Sequence, residues 1–299
     1  TRQNQHDQAE LRMMKTFAET IGEVEARWLS PMFAQCRDLF SGVFLPSHDH
    51  LHHARVWSHA RALLNLLSES TSIIPESLVE ELIIAVFFHD VGLIRTTEEK
   101  HGLESRFLCE EFFKSNKTDI QKPDAESFLN ILDAIERHDD KSLKSTIPDF
   151  RPGIVPDLLS LLSTSDDLDA FGAIGIYRYA EIYLFRGIGQ EQLPLRVSGN
   201  IDIRFKNLKN TFKSYTDFVR LQETRFRVVY NFYLSLAQAY ARNDEKPSWE
   251  PFLIKIFHDS LLNRQNILMT NRILPECGFE TEINAWFNAL DREVPGYFT

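Results

Sequence analysis

Most of the side chains in this sequence that could do chemistry are its ten histidines and its carboxylates, and the two types meet repeatedly. Five histidines are followed directly by aspartate, at His6, His48, His89, His138 and His258. An imidazole beside a carboxylate can hold a metal ion, relay a proton or form an ion pair, so the dipeptide alone selects nothing. His89-Asp90 differs in its surroundings. The apolar run Leu82 to Phe88 leads straight into it within AVFFHDVGLI, Ala85 to Ile94, and Gly92 closes the segment. Ionisable groups carried into a core must be compensated, because an unpaired buried charge is very costly. A metal ion would do so, and so would a core histidine with a salt-bridged aspartate.

The elements that must position these residues read as helices. Residues 7–30 are charged and helically periodic up to Ser30-Pro31, where proline marks a break or a new start. Leu39 to Pro46 is a connector. In Ser47 to Leu67 a stripe of His52, Val56, Ala60, Leu63 and Leu67 turns His52 inward, with His53, Arg55 and His59 beside it. A helix after Ile74-Pro75 carries Val79, Leu82, Val86 and His89 on one face; a buried strand is the alternative over so short a run. The spacing predicts a helix from His101 to Lys114 anchored by Leu103, Phe107 and Leu108, then a polar loop. Another stripe runs through Phe128, Ile131, Leu132, Ile135 and His138. Asp139 to Pro156, with three prolines, reads as a lid or a surface loop. One helix then carries LLSLLSTSDDLDAFGAIGIYRYA, with Leu158, Leu162, Asp166 and Asp169 on a shared face, and a long aromatic stripe runs from Phe205 to Tyr240. Helices around 251–268 and 279–291 finish an all-α chain, read as a single domain over residues 1–299.

Four buried stripes thus contain or end in a metal-capable residue: His52, His89 with Asp90, His138, and Asp166. Helices whose inward faces carry such groups can converge on one centre. His6 and His258 lack any such context. A net charge of −10 opposes non-specific binding to nucleic acid or an anionic membrane, while a small phosphorylated ligand in a local positive pocket remains allowed. The one basic stretch sets Arg186, Arg196, Arg204, Lys206, Lys209 and Lys213 against Glu191 and Asp202. Three cysteines without CxxC spacing imply no disulfide framework or thiolate site, so a cytoplasmic location is expected. No apolar run has the length of a membrane span, and the first residues are too polar for a secretory signal. A start at Thr1 rather than methionine reads as trimmed.

In the contexts HHARV, AVFFHDVG and SDDLDAFG, the order histidine, His-Asp, distant aspartate resembles the HD superfamily of metal-dependent phosphohydrolases. HDHLHHARVWSHA and SDDLDAFGAIGIYRYA look particularly like a branch of uncharacterised HD hydrolases, with patterns close to GHDWxHxxRVxxxA and ADxLDAIGAIGIxR. The resemblance implies an HD-domain helical bundle over 45–187, with the flanking helices of 1–44 and 188–299 packed on it. It also implies a metal set of His52, His89, Asp90 and Asp166, the last chosen over Asp167 because Leu168-Asp169 follows. His101 and His138 fall where some HD proteins hold a second metal, with a satisfied core histidine as the alternative; neither the HHE nor the GYP pattern of HD-GYP phosphodiesterases is present. The ion would be divalent: Mn, Fe, Co, Ni, Mg or Zn.

The reaction implied is hydrolysis of a phosphate ester of a nucleotide or other small phosphorylated metabolite, by a water that the metal activates. Asp90 and Asp169 are the candidate catalytic carboxylates; Asp169 would be a general base or a support for the ligands. Arg55, Arg178 and His138 are the candidate substrate contacts. His48 and Asp49 are placed at the site edge, and His50, His53 and His59 among structural residues. Two other readings stand beside this one: a di-iron HD-fold oxygenase such as myo-inositol oxygenase, which needs both His101 and His138 as ligands, and a non-catalytic ligand-binding or scaffolding protein. The long aromatic helix could serve a homodimer.

Overall fold

The computed structural model describes residues 16–70, 74–98, 100–115, 120, 122–140, 149–241, 247–269 and 276–294. Among them every regular element is helical. A first group comprises α1 (Phe17–Leu39), α2 (His50–Ser68), α3 (Glu76–Phe88), α4 (His101–Lys114), α5 (Ala125–Arg137) and α6 (Leu158–Asp169), with a 3-10 turn at Val91–Ile94. A second comprises α7 (Gly172–Phe185), α8 (Leu193–Thr211), α9 (Thr216–Ala241), α10 (Trp249–Leu262) and α11 (Glu280–Glu293).

Helix α3 is the centre of the first group because its second half, Leu82 to Phe88, is apolar on every side, and such a segment must be buried. Leu82 through Phe88 are all at most 1% exposed, packed by α1, α2, α4, α5 and α6. Each such side chain contributes roughly 1.5–3 kcal/mol of gross burial. This fixes α3 firmly enough to present His89 and Asp90 just beyond its last turn. In the second group α7 plays the same part, touched by α8, α9, α10 and α11. Local signals start the helices: Thr16 and Glu19 form a capping box on α1, and Asp49, Asp124 and Asp157 accept backbone N–H groups at the starts of α2, α5 and α6.

Four expectations need correction. Helix α1 does not stop at Pro31 but runs through it, because Ile21, Val24, Trp28, Met32 and Cys36 keep one buried stripe across the proline, and this packing outweighs the lost hydrogen bond. The anchors of α4 are Leu108, Cys109 and Phe112, while Leu103 and Phe107 are exposed. The segment read as one helix over LLSLLSTSDDLDAFGAIGIYRYA is two, α6 and α7. Gly172, the first residue of α7, sits at φ 83°, in the left-handed region that favours glycine, and a Cβ there would lie 2.5 Å from the Glu293 carboxylate. The stripe from Phe205 to Tyr240 is divided between α8 and α9 by a turn at Phe212 to Tyr215. Its central residues, Phe226, Val229, Tyr233 and Leu236, pack within the chain. Residues 7–15, His6 and 141–148 of the expected lid lie outside the described residues. No helix among the described residues is long and apolar enough to cross a membrane.

Candidate metal centre

Helix ends build the site. His52 lies in the first turn of α2, His89 caps the C-terminus of α3, and Asp90 opens the 3-10 turn. His101 begins α4, His138 caps the C-terminus of α5, and Asp166 stands in the last turn of α6. All six are at most 5% exposed. The C-terminal ends of α3, α5 and α6 bring carbonyls without helical partners, and the negative end of each helix dipole, to one place. Those three ends favour a cation, against the opposing N-terminal ends of α2 and α4.

The imidazoles are held in one tautomer. His89 Nδ1 donates to Val86 O at 2.8 Å, His138 Nδ1 to Ile135 O at 2.7 Å, and His101 Nδ1 to Glu98 O at 2.9 Å. A carbonyl can only accept, so Nδ1 carries the proton in each. His52 Nδ1 donates to Asp169 Oδ2 at 2.8 Å. All four rings therefore turn Nε2 toward the centre. His52 Nε2 and His89 Nε2 approach to 3.2 Å, with Asp90 Oδ2 at 3.4 and 3.6 Å and Asp166 Oδ1 at 3.6 and 3.8 Å from them. The other oxygen of Asp90, Oδ1, faces His101 Nε2 at 3.2 Å and His138 Nε2 at 3.0 Å.

Two groups result, His52/His89/Asp90/Asp166 and Asp90/His101/His138, each with its donor atoms within 4.8 Å of one another. That is near the width of a single coordination sphere, roughly 4–5 Å. Asp90 belongs to both and offers one oxygen to each. The electrostatics also call for positive charge. Burial pulls His89 and His101 down, yet neighbouring carboxylates outweigh it; Asp90 and Asp166 raise His89, and Asp90 with Asp139 holds His101 up at about 9. Burial likewise works against ionisation of Asp90 and Asp166, but the surrounding imidazoles and, for Asp166, Arg178 and Arg204 hold both well below the usual carboxylate range. Nε2 atoms that would give up their protons on binding, converging beside ionised carboxylates, fit a divalent ion in the first group and a second ion in the other.

Around this centre lies a cavity of about 820 Å³. Asp90, His101, His138, Asp166 and Arg178 form its floor and His48 lies at its edge; Tyr179, Ile182 and Tyr183 of α7, Arg186 just past its end, and Arg196, Asn200 and Arg204 of α8 form a wall. Its lining includes five cationic side chains and five carboxylates, so two divalent ions would make it locally positive in an acidic chain. Arg178 Nη2 stands 3.2 Å from Asp166 Oδ1 and 3.3 Å from His52 Nε2. Arg204 Nη1 lies 3.5 Å from Asp166 Oδ2 and pairs with Asp167. The sequence singled out Arg178 but left Arg204 within a general basic stretch. Its signal was the four-residue spacing from Arg196 through Asn200, visible only once α8 is known to flank the site.

Two sequence candidates sit behind the centre. Arg55 donates through Nε and Nη2 to Asp169, at 2.9 and 3.0 Å, and through Nη2 to Ser47 O at 3.1 Å. It is absent from the cavity lining. Asp169 is 0% exposed; burial opposes its ionisation, but Arg55 and Arg178 beside it hold its carboxyl well below the usual range. His59 approaches it at 3.8 Å. His53 donates to the same Val86 carbonyl as His89, at 2.8 Å. His48 reaches the cavity edge with Nδ1 3.0 Å from Glu181 Oε1, Asp49 caps α2, and His50 lies beside Asp49 at 3.8 Å. No protein-family model, curated protein or solved structure matches the chain.

Proposed function

We propose that the protein is a metal-dependent phosphohydrolase of the HD type, acting on a phosphate ester of a nucleotide or other small phosphorylated metabolite. The observation that carries this reading is the shared carboxylate: Asp90 joins two metal-capable groups, and Arg178 and Arg204 flank them in a cavity large enough for a metabolite. His52, His89, Asp90 and Asp166 would hold one divalent ion, and Asp90, His101 and His138 a second. Such ions lower the pKa of a bound water and draw charge from a phosphoryl oxygen.

The chain's own residues supply orientation and charge. Arg178 and Arg204, with planar guanidiniums, are the candidates to hold phosphoryl oxygens; Nε of each is buried without a hydrogen-bond partner among the described residues. Asp169 is a positioning residue: both oxygens are engaged by Arg55 and His52, and a carboxylate held so far below its ordinary range is a poor base. Arg55 holds Asp169 in turn. The test is phosphate release by Mn²⁺- or Co²⁺-loaded protein on a panel of phosphomonoesters, phosphodiesters and nucleoside triphosphates. Turnover that Asp90→Ala abolishes together with metal binding supports the reading. No turnover at any metal loading would sink it.

One observation favours a second reading. His101 and His138 do lie within ligand distance of Asp90, the requirement of a di-iron oxygenase. Iron-loaded protein consuming oxygen without releasing phosphate would select it; two arginines beside Asp166 favour the phosphate ester.

A further inference from the structure

On α8, Arg196, Asn200 and Arg204 follow at four-residue steps, and all three line the cavity. Four-residue steps keep side chains on one helix face, and eight residues of rise separate its ends by about 12 Å. The face is fixed from behind, because Val197, Ile201, Phe205 and Leu208 are buried in the core. Asn200 Nδ2 donates to Tyr183 Oη at 3.0 Å and ties the middle of the row to α7.

The two arginines differ in how their charge is compensated. Arg204, at the inner end, is engaged by Asp167, Asp166 and Asp139. Arg196, at the outer end, is exposed on the cavity wall and has no ion pair or hydrogen bond to any described residue. A cationic side chain in a cavity wall with no counter-charge is a ready partner for an anionic part of a ligand. Orthophosphate beside the metal-capable groups would also leave most of the 820 Å³ unused.

Building on the phosphohydrolase reading, we propose that α8 reads the substrate and that the substrate is an elongated bisphosphate. One phosphoryl group sits at the metal-capable groups between Arg178 and Arg204, and a second phosphate lies about 12 Å along α8 at Arg196. Hydrolysis breaks the P–O bond of the inner ester. Water oxygen bonds to phosphorus, the leaving oxygen takes a proton, and the second phosphate stays on the alcohol product. Arg196 is the specificity-determining residue: it sets which phosphate ester is bound and touches no reacting atom.

The test uses Mn²⁺-loaded full chain, straight-chain diol bisphosphates of increasing length, and inorganic phosphate as the single-anion reference, with binding followed by calorimetry. Wild-type protein is expected to prefer one length, binding it about tenfold more tightly than phosphate, as one charge-assisted hydrogen bond supplies. Arg196→Gln, an exposed change that should leave folding intact, is expected to lose that preference and bind phosphate within about twofold of wild type. Arg204→Gln should weaken both ligands. Phosphate binding with no length preference in the wild type overturns the inference and leaves the phosphohydrolase reading standing, as does a preference that survives Arg196→Gln. If neither phosphate nor any bisphosphate binds, the phosphohydrolase reading falls and the inference with it.

Discussion

At the scale of single residues, each candidate histidine ligand is oriented through Nδ1 by a neighbour that lies outside the metal-capable groups. Asp169 does this for His52 through a 2.8 Å contact at Nδ1. Asp169→Asn can present its NH2 where an acceptor is needed, so the protein should still bind metal, but with affinity reduced about 10–100-fold. Calorimetry with Mn²⁺ would check this, and unchanged affinity would remove Asp169 from the positioning role. Glu181 is a second buried carboxylate with a different consequence. Burial pushes its carboxyl up to about 8, Asp49 adds to the effect, and Ser47, whose N–H donates to both oxygens at 3.1 and 3.0 Å, opposes it. Its ordinary value is 4.5. Between these values the folded chain binds more protons than the unfolded one, so this group's contribution to stability is whole below about 4.5 and is lost as pH rises through about 8. Glu181→Gln keeps a neutral side chain at every pH and should flatten that decline. Urea unfolding at about pH 6 and about pH 8.5 measures it; equal pH slopes in the two proteins would show that another group titrates. The inward turn of His52, His89, His138 and Asp166 was legible because helical spacing alone decides it. The engagement of Arg55 by Asp169 was not, because those residues lie 114 positions apart.

At the scale of elements, the second group depends on how closely the 3-10 turn after α3 approaches α4. Gly92 makes that approach possible. A Cβ there would lie 2.0 Å from His101 O and 2.6 Å from Ser105 N, both backbone atoms, and Gly92 N–H donates to Ser105 Oγ at 2.7 Å. Gly92→Ala must push the turn and α4 apart, at a cost of about 1–3 kcal/mol. The displacement separates Asp90 from His101 while leaving His52, His89 and Asp166 on other helices. If both metal-capable groups hold an ion in the wild type, metal analysis should then fall from two equivalents to one, with a lower melting temperature; two retained equivalents would mean that His101 is not needed for the second ion. The sequence showed that Gly92 closes the segment around His89 and Asp90. It could not show what the glycine touches, since that depends on the packing of α4. The same holds for Leu103 and Phe107, apolar at helical spacing yet exposed, because the buried face of α4 is set by α3 and α5.

At the scale of the whole molecule, ligand candidates from α2 to α6 face cations from α7 and α8, so the site lies where the two groups of helices meet. An all-helical architecture followed from the composition and the stripes. The place of α8 at the centre did not, since no hydrophobic period announces which flanking helix lies against a cavity. Because the six residues belong to separate elements, bound metal should tie those elements together. At a hundredfold excess over its Kd an ion adds about 2.7 kcal/mol, which in a chain this long raises the melting temperature by roughly 5 °C. Thermal unfolding with Mn²⁺ and with a chelator measures the difference. No shift would mean that the folded chain does not bind the ion preferentially.

His52 and the Asp169 that orients it are 117 residues apart. During synthesis, α2 and α3 leave the ribosome with their imidazoles and Asp90 long before Asp166, Asp169 and Arg178 exist. A half-made chain can gather several histidines, but it cannot hold His52 through Asp169 or complete the first group with Asp166. Long-range contacts of this kind form late in folding. Metal uptake at His52, His89, Asp90 and Asp166 would therefore wait until Asp166 and Asp169 have been made and packed.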